Sequence, residues 1–473
     1  MAQQQQNKPK ILIVYKCLGY PLRTTVDEHL YSFKRYVDAD VYYLKLDMGW
    51  HTYMSQKRVP KYLLNIDFDI ILFHYGFISS RTAGEDCYQR ALQQVMPFKN
   101  TKAIKAVMAQ DEYLGSKYIR HFINEMDINV VFSVSPESEW DQLYEGIDRN
   151  KVKFYKVLTG YLDEGGIKMI EGFLKDTTKD VDIGYRARNL PQWLGRHGYM
   201  KTIIADVFND HVKKFPKLNT NISTDPKDTF LGLGWYKFMC RCKYMIGVEG
   251  GATVHDPDGS IWKKSSEYLK ANPDCTFEEI ENACFPGLDG KLQLIAISPR
   301  NLESCATRTC QVLVESTYNG ILKPWVHYIP IKKDLSNVDE VLQIVQDDKL
   351  REEIAENAYR DIVQSGLYSY RNASNLVIKQ CMQEATDPFF ARQRTPNRVS
   401  FYWNRYQDWL SWKKDWFWYK SILVPHLYWP FNRWHILRPA IKFIKFFRLQ
   451  KVAKVVFVGV TGNRSFLAPK QNK

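Results

Sequence analysis

The chain has 473 residues, 45% of them hydrophobic, which suits two ordinary domains with cores of their own and is too long for one. Its net charge of +14 is concentrated: residues 391–473 hold 17 Lys or Arg against only Asp408 and Asp415, which leaves the first 390 residues near −1 and argues against a nucleic-acid-coating surface. The nine cysteines lack the paired spacing of a zinc site, the opening MAQQQQNKPK lacks an apolar signal segment, and no uncharged apolar run reaches the ~20 residues of a membrane span. Reduced thiols, no metal centre and a cytosolic chain are the expectations.

In chain order, KILIVYK at 10–16 reads as a first strand, and Thr24 and Thr25 are good caps for a helix that follows. Further strands at 41–46, 69–75, 103–108 and 130–134, with helical patterns between them, predict a doubly wound α/β lobe over 1–165. Ligands of open α/β sheets lie beyond the carboxyl ends of strands. His74, after the third strand, and Asp111, after the fourth with Glu112 beside it, are therefore candidates to deprotonate an acceptor hydroxyl. KCLGYPLRTT, after the first strand, lacks GxGxxG and argues against a dinucleotide site. Residues 160–179 read as a linker with a helical patch, punctuated by Gly165-Gly166.

A second lobe, 178–345, opens with a strand at 181–185 and continues DIGYRARNLPQWLGRHGYMK, which places Arg186, Arg188, Arg196 and Lys201 just beyond the strand end. A strand at 244–248 runs into Glu249-Gly250-Gly251, where paired glycines let a ligand approach the backbone, then Thr253, His255, Asp256 and Asp258. A turn closing at Gly259 explains Asp256-Pro257-Asp258 without a metal. In SPRNLESCATRTCQVLVES a short helix sets Arg300, Glu303 and Thr307 on one face before an apolar strand at 310–315. A carboxylate there can accept both hydroxyls of a ribose. Closing helices follow over 346–385, and 386–473 form a basic, Trp-rich extension.

The stretch 298–342 resembles the carboxy-terminal half of group-1 glycosyltransferases of the GT-B fold, in which a glutamate on a helix before a strand grips the ribose of a nucleotide sugar. PWVHYIPIKKDLSNVDEVL is also similar to the end of the protein O-glucosyltransferase catalytic domain, and CKYMIGVEGGATVHDPDGSI to a signature of bacterial surface-polysaccharide glycosyltransferases. The resemblance implies an α/β protein of two Rossmann-like lobes (GT-B) that moves a sugar from a nucleotide-sugar to a glycan or lipid-linked acceptor. It implies retention of configuration and a donor that is itself the substrate, with no cofactor and no obligatory metal. Arg186, Arg188, Arg196 and Lys201 would hold the diphosphate, Gly250 and Gly251 would admit the donor, and Arg300 and Glu303 would take the ribose end. Glu249, with His255 as a partner, would meet the sugar, and Asp111 or His74 the acceptor. A sugar-nucleotide epimerase of the same fold, a non-catalytic adaptor and a nucleic-acid binder are the alternatives.

The extension holds seven of the thirteen tryptophans, interleaved with the basic excess. Indoles favour headgroup depth and basic residues an anionic leaflet, at ~1 kcal/mol each, so 391–473 are expected to meet an anionic membrane surface at its cytoplasmic face. Packing of these aromatics on the enzyme body is the competing expectation.

Overall fold

The computed structural model describes residues 8–16, 24–46, 59, 61–230 and 232–385. The segment expected to meet a membrane lies outside them. Among the described residues six strands build the first sheet: β1 (Lys10–Tyr15), β2 (Asp40–Lys45), β3 (Ile70–Phe73), β4 (Ile104–Ala109), β5 (Val130–Ser133) and β6 (Lys153–Lys156). They pair in the order β2-β1-β3-β4-β5-β6, every pair parallel. A sheet covered by helices on both faces needs strands that are apolar on both faces. KILIVY, IILF and VVFS supply such runs, with nearly every residue buried.

The second sheet contains β7 (Val181–Arg186), β8 (Thr220–Ser223), β9 (Cys242–Gly247), β12 (Cys310–Val314) and β13 (Tyr328–Ile331) in the order β13-β12-β9-β7-β8, again parallel. The order reverses between β1 and β3 in the first lobe and between β7 and β9 in the second. Each reversal opens a crevice beyond the carboxyl ends of those strands. The edge strands KFYK (β6) and TNIS (β8) carry no apolar run, because an edge need not be buried on both faces. Cys242 begins β9 rather than continuing the helix Leu233–Arg241, and the described cysteines are free thiols.

Two further differences from the sequence reading concern glycines. Gly165 and Gly166 do not punctuate a linker; they lie in the helix Glu164–Lys175, whose cap Asp163 accepts the Gly166 N–H at 3.1 Å. A Cβ at Gly166 would stand 3.1 Å from Glu28 Oε1, so the glycine lets the first lobe's helix Thr24–Tyr36 come close. Gly250 and Gly251 are not a ligand loop either. They form β10 (Gly250–Ala252), antiparallel to β11 (Leu294–Ala296). Gly251 has φ 128°, and a Cβ there would lie 1.8 Å from Leu294 O.

Among the described residues the chain crosses between lobes twice, side by side. Leu162 N–H donates to Tyr368 O at 2.8 Å and Tyr370 N–H to Leu162 O at 2.9 Å. The helix Tyr370–Gln383 then returns to the first lobe, burying Val377, Ile378 and Cys381 against the core of that sheet. Gly251→Ala should break the β10–β11 pairing and cost on the order of 3 kcal/mol, measurable by chemical denaturation.

Candidate functional site

A cleft enclosing roughly 360 Å³ opens beyond the carboxyl ends of β7 and β9, walled by the second lobe and closed on one side by Thr24 and Thr25 of the first. Lys201 projects into it from the helix Gly195–His211, whose backbone is held where Tyr185 Oη donates to Lys201 O at 2.8 Å. Among the described residues nothing hydrogen-bonds the Lys201 ammonium. Burial, followed by repulsion from Arg300, lowers its pKa to about 8, with Asp111 acting in the opposite direction.

Arg300 stands in the first turn of the helix Pro299–Ala306, whose amino end faces the cleft through Ser298 and Pro299. Its guanidinium donates to the carbonyl of Arg186 and lies 5.3 Å from the Tyr185 ring centroid and 5.4 Å from that of Trp235. One turn on, Glu303 is buried, its Oε2 accepting from Trp235 Nε1 at 2.7 Å while Oε1 has no partner among the described residues. Burial raises its pKa to about 6; the Trp235 bond and Arg300 limit the rise. Arg188 is exposed at the lip of the cleft. The site thus sets unneutralised cations and a helix amino end next to a buried carboxylate with one oxygen free. It can hold an anion at one end and a hydroxyl at the other.

No protein-family model matches the chain. Bovine protein O-glucosyltransferase 1 is 58% identical to it over 43 residues, 9% of this chain and 11% of that protein. The chain therefore spans about a ninth of that curated relative's length. The solved structure of Anabaena HepE in complex with UDP and glucose is similar over 79% of this chain and 100% of that one, at 10% identity and a TM-score of 0.44. A glycosyltransferase from Rickettsia africae is similar over 80% and 100%, at 11% identity and a TM-score of 0.41. Two parallel, doubly wound lobes facing one cleft, with the helix Tyr370–Gln383 crossing back, make the fold GT-B.

Several expected site residues are engaged by other partners. Arg186 turns to the sheet edge, donating to Tyr185 O at 2.7 Å, Asn221 O at 2.8 Å, Asn221 Oδ1 at 2.5 Å and Asp228 O at 3.1 Å, with its guanidinium against Phe230 and Phe238. With most donors satisfied, it braces the cleft wall rather than reaching for phosphate. Arg196 is drawn away by Glu278, Glu281 and Asp289 and lies 4.3 Å from the Phe277 ring centroid. Gly251 serves the close β10–β11 approach. At Gly250 a Cβ would stand 2.9 Å from Ala296 O and 3.7 Å from Lys201 Nζ, so that glycine serves the same pairing while bordering the cleft. Thr307 does not share an open polar face with Glu303; it is buried and bonds the carbonyls of Glu303 and Ser304.

Glu249 is not among the residues that line the cleft, whereas Val248 is. The Glu249 Oε2 accepts from the Tyr318 N–H at 2.7 Å and Thr317 Oγ1 at 3.3 Å, pinning the loop after β12. Burial raises its pKa despite those bonds. His74 is buried, its Nδ1 accepting the Gly76 N–H at 3.1 Å and its Nε2 lying 2.9 Å from His29 Nδ1; burial holds both rings neutral, that of His29 with a pKa of about 3. Glu112 is likewise sequestered by Ser133 and Tyr144.

Asp111 is the first-lobe candidate that faces the second lobe. It is exposed with φ 52°, its backbone carbonyl gripped by Arg81 at 2.8 Å, and its charge acts on Lys201 across the gap. His255 and Asp256 tie the lobes together. His255 Nε2 lies 2.7 Å from Ser116 Oγ, and the Asp256 N–H donates to Tyr113 O at 2.7 Å while its carboxylate caps the helix Ser260–Ala271. Sequence reasoning missed Trp235, Phe230, Thr24 and Thr25 as cleft residues. Thr24 and Thr25 were legible only as helix caps, and an aromatic on a helix is ordinarily core.

Inorganic pyrophosphate should bind the wild type in calorimetry. Lys201→Ala should weaken that binding about tenfold or more, and Arg196→Ala should leave it unchanged.

Proposed function

We propose that the chain is a glycosyltransferase that moves a sugar from a nucleoside-diphosphate-sugar to a hydroxyl acceptor. The observation that carries this reading is the pairing, within one cleft, of unpartnered Lys201 and the guanidinium of Arg300 with a buried Glu303 that keeps one oxygen free. Those are the two ends a nucleoside diphosphate presents, phosphates and ribose. The short identity with protein O-glucosyltransferase 1 and the UDP and glucose held by HepE point the same way.

In the reaction the bond between the anomeric carbon and the diphosphate oxygen breaks, and its electron pair stays on the diphosphate. Lys201, Arg188, Arg300 and the amino end of the helix Pro299–Ala306 stabilise that growing charge more than they stabilise the ground state. The acceptor oxygen bonds to the anomeric carbon and its proton passes to Asp111, whose local backbone is fixed by Arg81. Lobe closure would exclude water and favour transfer over hydrolysis. No step calls for a metal or cofactor, since side chains supply the positive charge. The resemblance to group-1 enzymes carries retention. Asp111, whose charge acts on Lys201, with Glu249 held by Thr317 and Tyr318, suits a single displacement with inversion instead, and the anomer of the product separates the two.

The acceptor in this reading is a glycan or lipid-linked intermediate of a cell-surface polysaccharide. The basic aromatic segment 391–473 would bring the enzyme to the cytoplasmic membrane face. No helix among the described residues is long and apolar enough to cross a membrane.

Titration with UDP-, GDP-, ADP-, dTDP- and CMP-sugars tests the proposal. One donor should bind in the micromolar range, and Glu303→Ala should weaken it by about tenfold or more, the ~1.5–3 kcal/mol of a hydrogen bond to a charged group. Failure of every donor to bind would leave the non-catalytic reading. Removing residues 391–473 should release the protein from anionic vesicles without altering donor affinity.

A further inference from the structure

The indole of Trp235 makes two contacts inside the cleft that its sequence context, LGWYKFMC, does not announce. It sits in the first turn of the helix Leu233–Arg241, half-buried, with its ring tilted 33° to that of Phe238 at 6.1 Å between centroids. From that position Nε1 donates to Glu303 Oε2 at 2.7 Å, and the ring face carries the Arg300 guanidinium at 5.4 Å. The other carboxylate oxygen, Oε1, is buried and without a partner among the described residues. A carboxylate with no fixed donor can turn about its last bond and present either oxygen. One whose Oε2 is claimed presents Oε1 alone.

We propose that Trp235 is a positioning residue for the donor: its indole N–H fixes Glu303 so that Oε1 meets a ribose hydroxyl, and its ring seats Arg300 toward the phosphates. The inference rests on the nucleotide-sugar reading of the cleft and adds to it a recognition of ribose over 2′-deoxyribose. One side chain thereby sets the spacing between the two ends of the ligand.

Among the described residues, the groups that face Glu303 from the elements packed against it are few. Arg300 lies on its own helix, Tyr236 is next to Trp235, Glu28 comes from the first lobe's helix Thr24–Tyr36, and Tyr370 opens the returning helix. Tyr236 Oη donates to Glu28 at 3.1 Å, so Glu28 has a partner of its own. A hydroxyl donates to the ionised carboxylate. The contribution of Glu303 to binding is therefore complete above its pKa, about 6, and is lost as pH falls through it. The indole N–H favours the ionised form, so its removal moves the midpoint to higher pH.

Calorimetric titration with UDP and 2′-deoxy-UDP, and with GDP and its deoxy form should UDP not bind, from about pH 5 to about pH 8 tests this. Wild type should prefer the ribonucleotide and weaken toward acid. Trp235→Phe should bind it about tenfold less tightly at neutral pH, with the midpoint raised and the ribose preference reduced. Trp235→His, which restores a ring N–H, should recover much of both. Should Phe disturb the fold, benzothienylalanine at 235 replaces the N–H with sulfur in a ring of the same shape, and the same shift is expected. Glu28→Gln should leave the midpoint where it was; a midpoint that moves there would assign the titration to Glu28 and overturn the pH argument. A wild-type midpoint and ribose preference in Trp235→Phe would reduce Trp235 to packing, even with weaker overall affinity. If Glu303→Gln loses the ribose preference while Trp235→Phe keeps it, only the role of Trp235 fails. If Glu303→Gln itself matches wild type, the ribose reading of the cleft fails and this inference with it.

Discussion

A lysine ammonium with most of its water removed, set beside a guanidinium and given no hydrogen-bonding partner among the described residues, is the constraint on which the cleft depends. Lys201 and Arg300 repel each other, and both are held by other means. Tyr185 grips the backbone at Lys201, while the Arg186 carbonyl and the faces of Tyr185 and Trp235 hold Arg300. Left empty, such an arrangement costs free energy, because burial penalises the Lys201 charge more than Asp111 offsets it. A ligand carrying two or more negative charges removes that penalty, and the relief grows as negative charge accumulates on a departing phosphate.

The lobes are held so that this charge has something to act upon. Asp256 joins Tyr113 and Gly115 by backbone bonds, Tyr236 reaches Glu28 across the junction, and the two chain crossings pair at Leu162 and Tyr368. Gly166 makes room for Glu28, and the helix Tyr370–Gln383 packs back on the first lobe. Together these hold the segment that follows Asp111 against the second lobe. The same contacts explain why His255 and Asp256, chemically suggestive in the sequence, serve as struts.

Much of the fold was legible because strands buried on both faces must be apolar runs, and β1, β3, β5 and β12 could be read from that alone. The polar edge strands β6 and β8 could not, since nothing forces an edge into the pattern. At the site, Glu303 was legible from a short helix ahead of an apolar strand. Arg186, Arg188 and Arg196 could not be told apart, because what separates them is distant in sequence. Asn221 and Phe238 take Arg186, and Glu278, Glu281 and Asp289 take Arg196. Glu249 was misplaced for the same reason, its partners Thr317 and Tyr318 lying beyond β12. Gly251 owes its identity to Leu294, which meets it only once β10 and β11 pair.

The most direct test of the central claim is to compare a nucleoside with its mono- and diphosphate, in the preferred base, by calorimetry on wild type and on Lys201→Met. The account predicts that the wild type gains affinity steeply with each phosphate, and that the gain from the second phosphate collapses in Lys201→Met while the nucleoside binds as before. Equal gains in both proteins would contradict it, since the phosphates would then be held somewhere other than at Lys201.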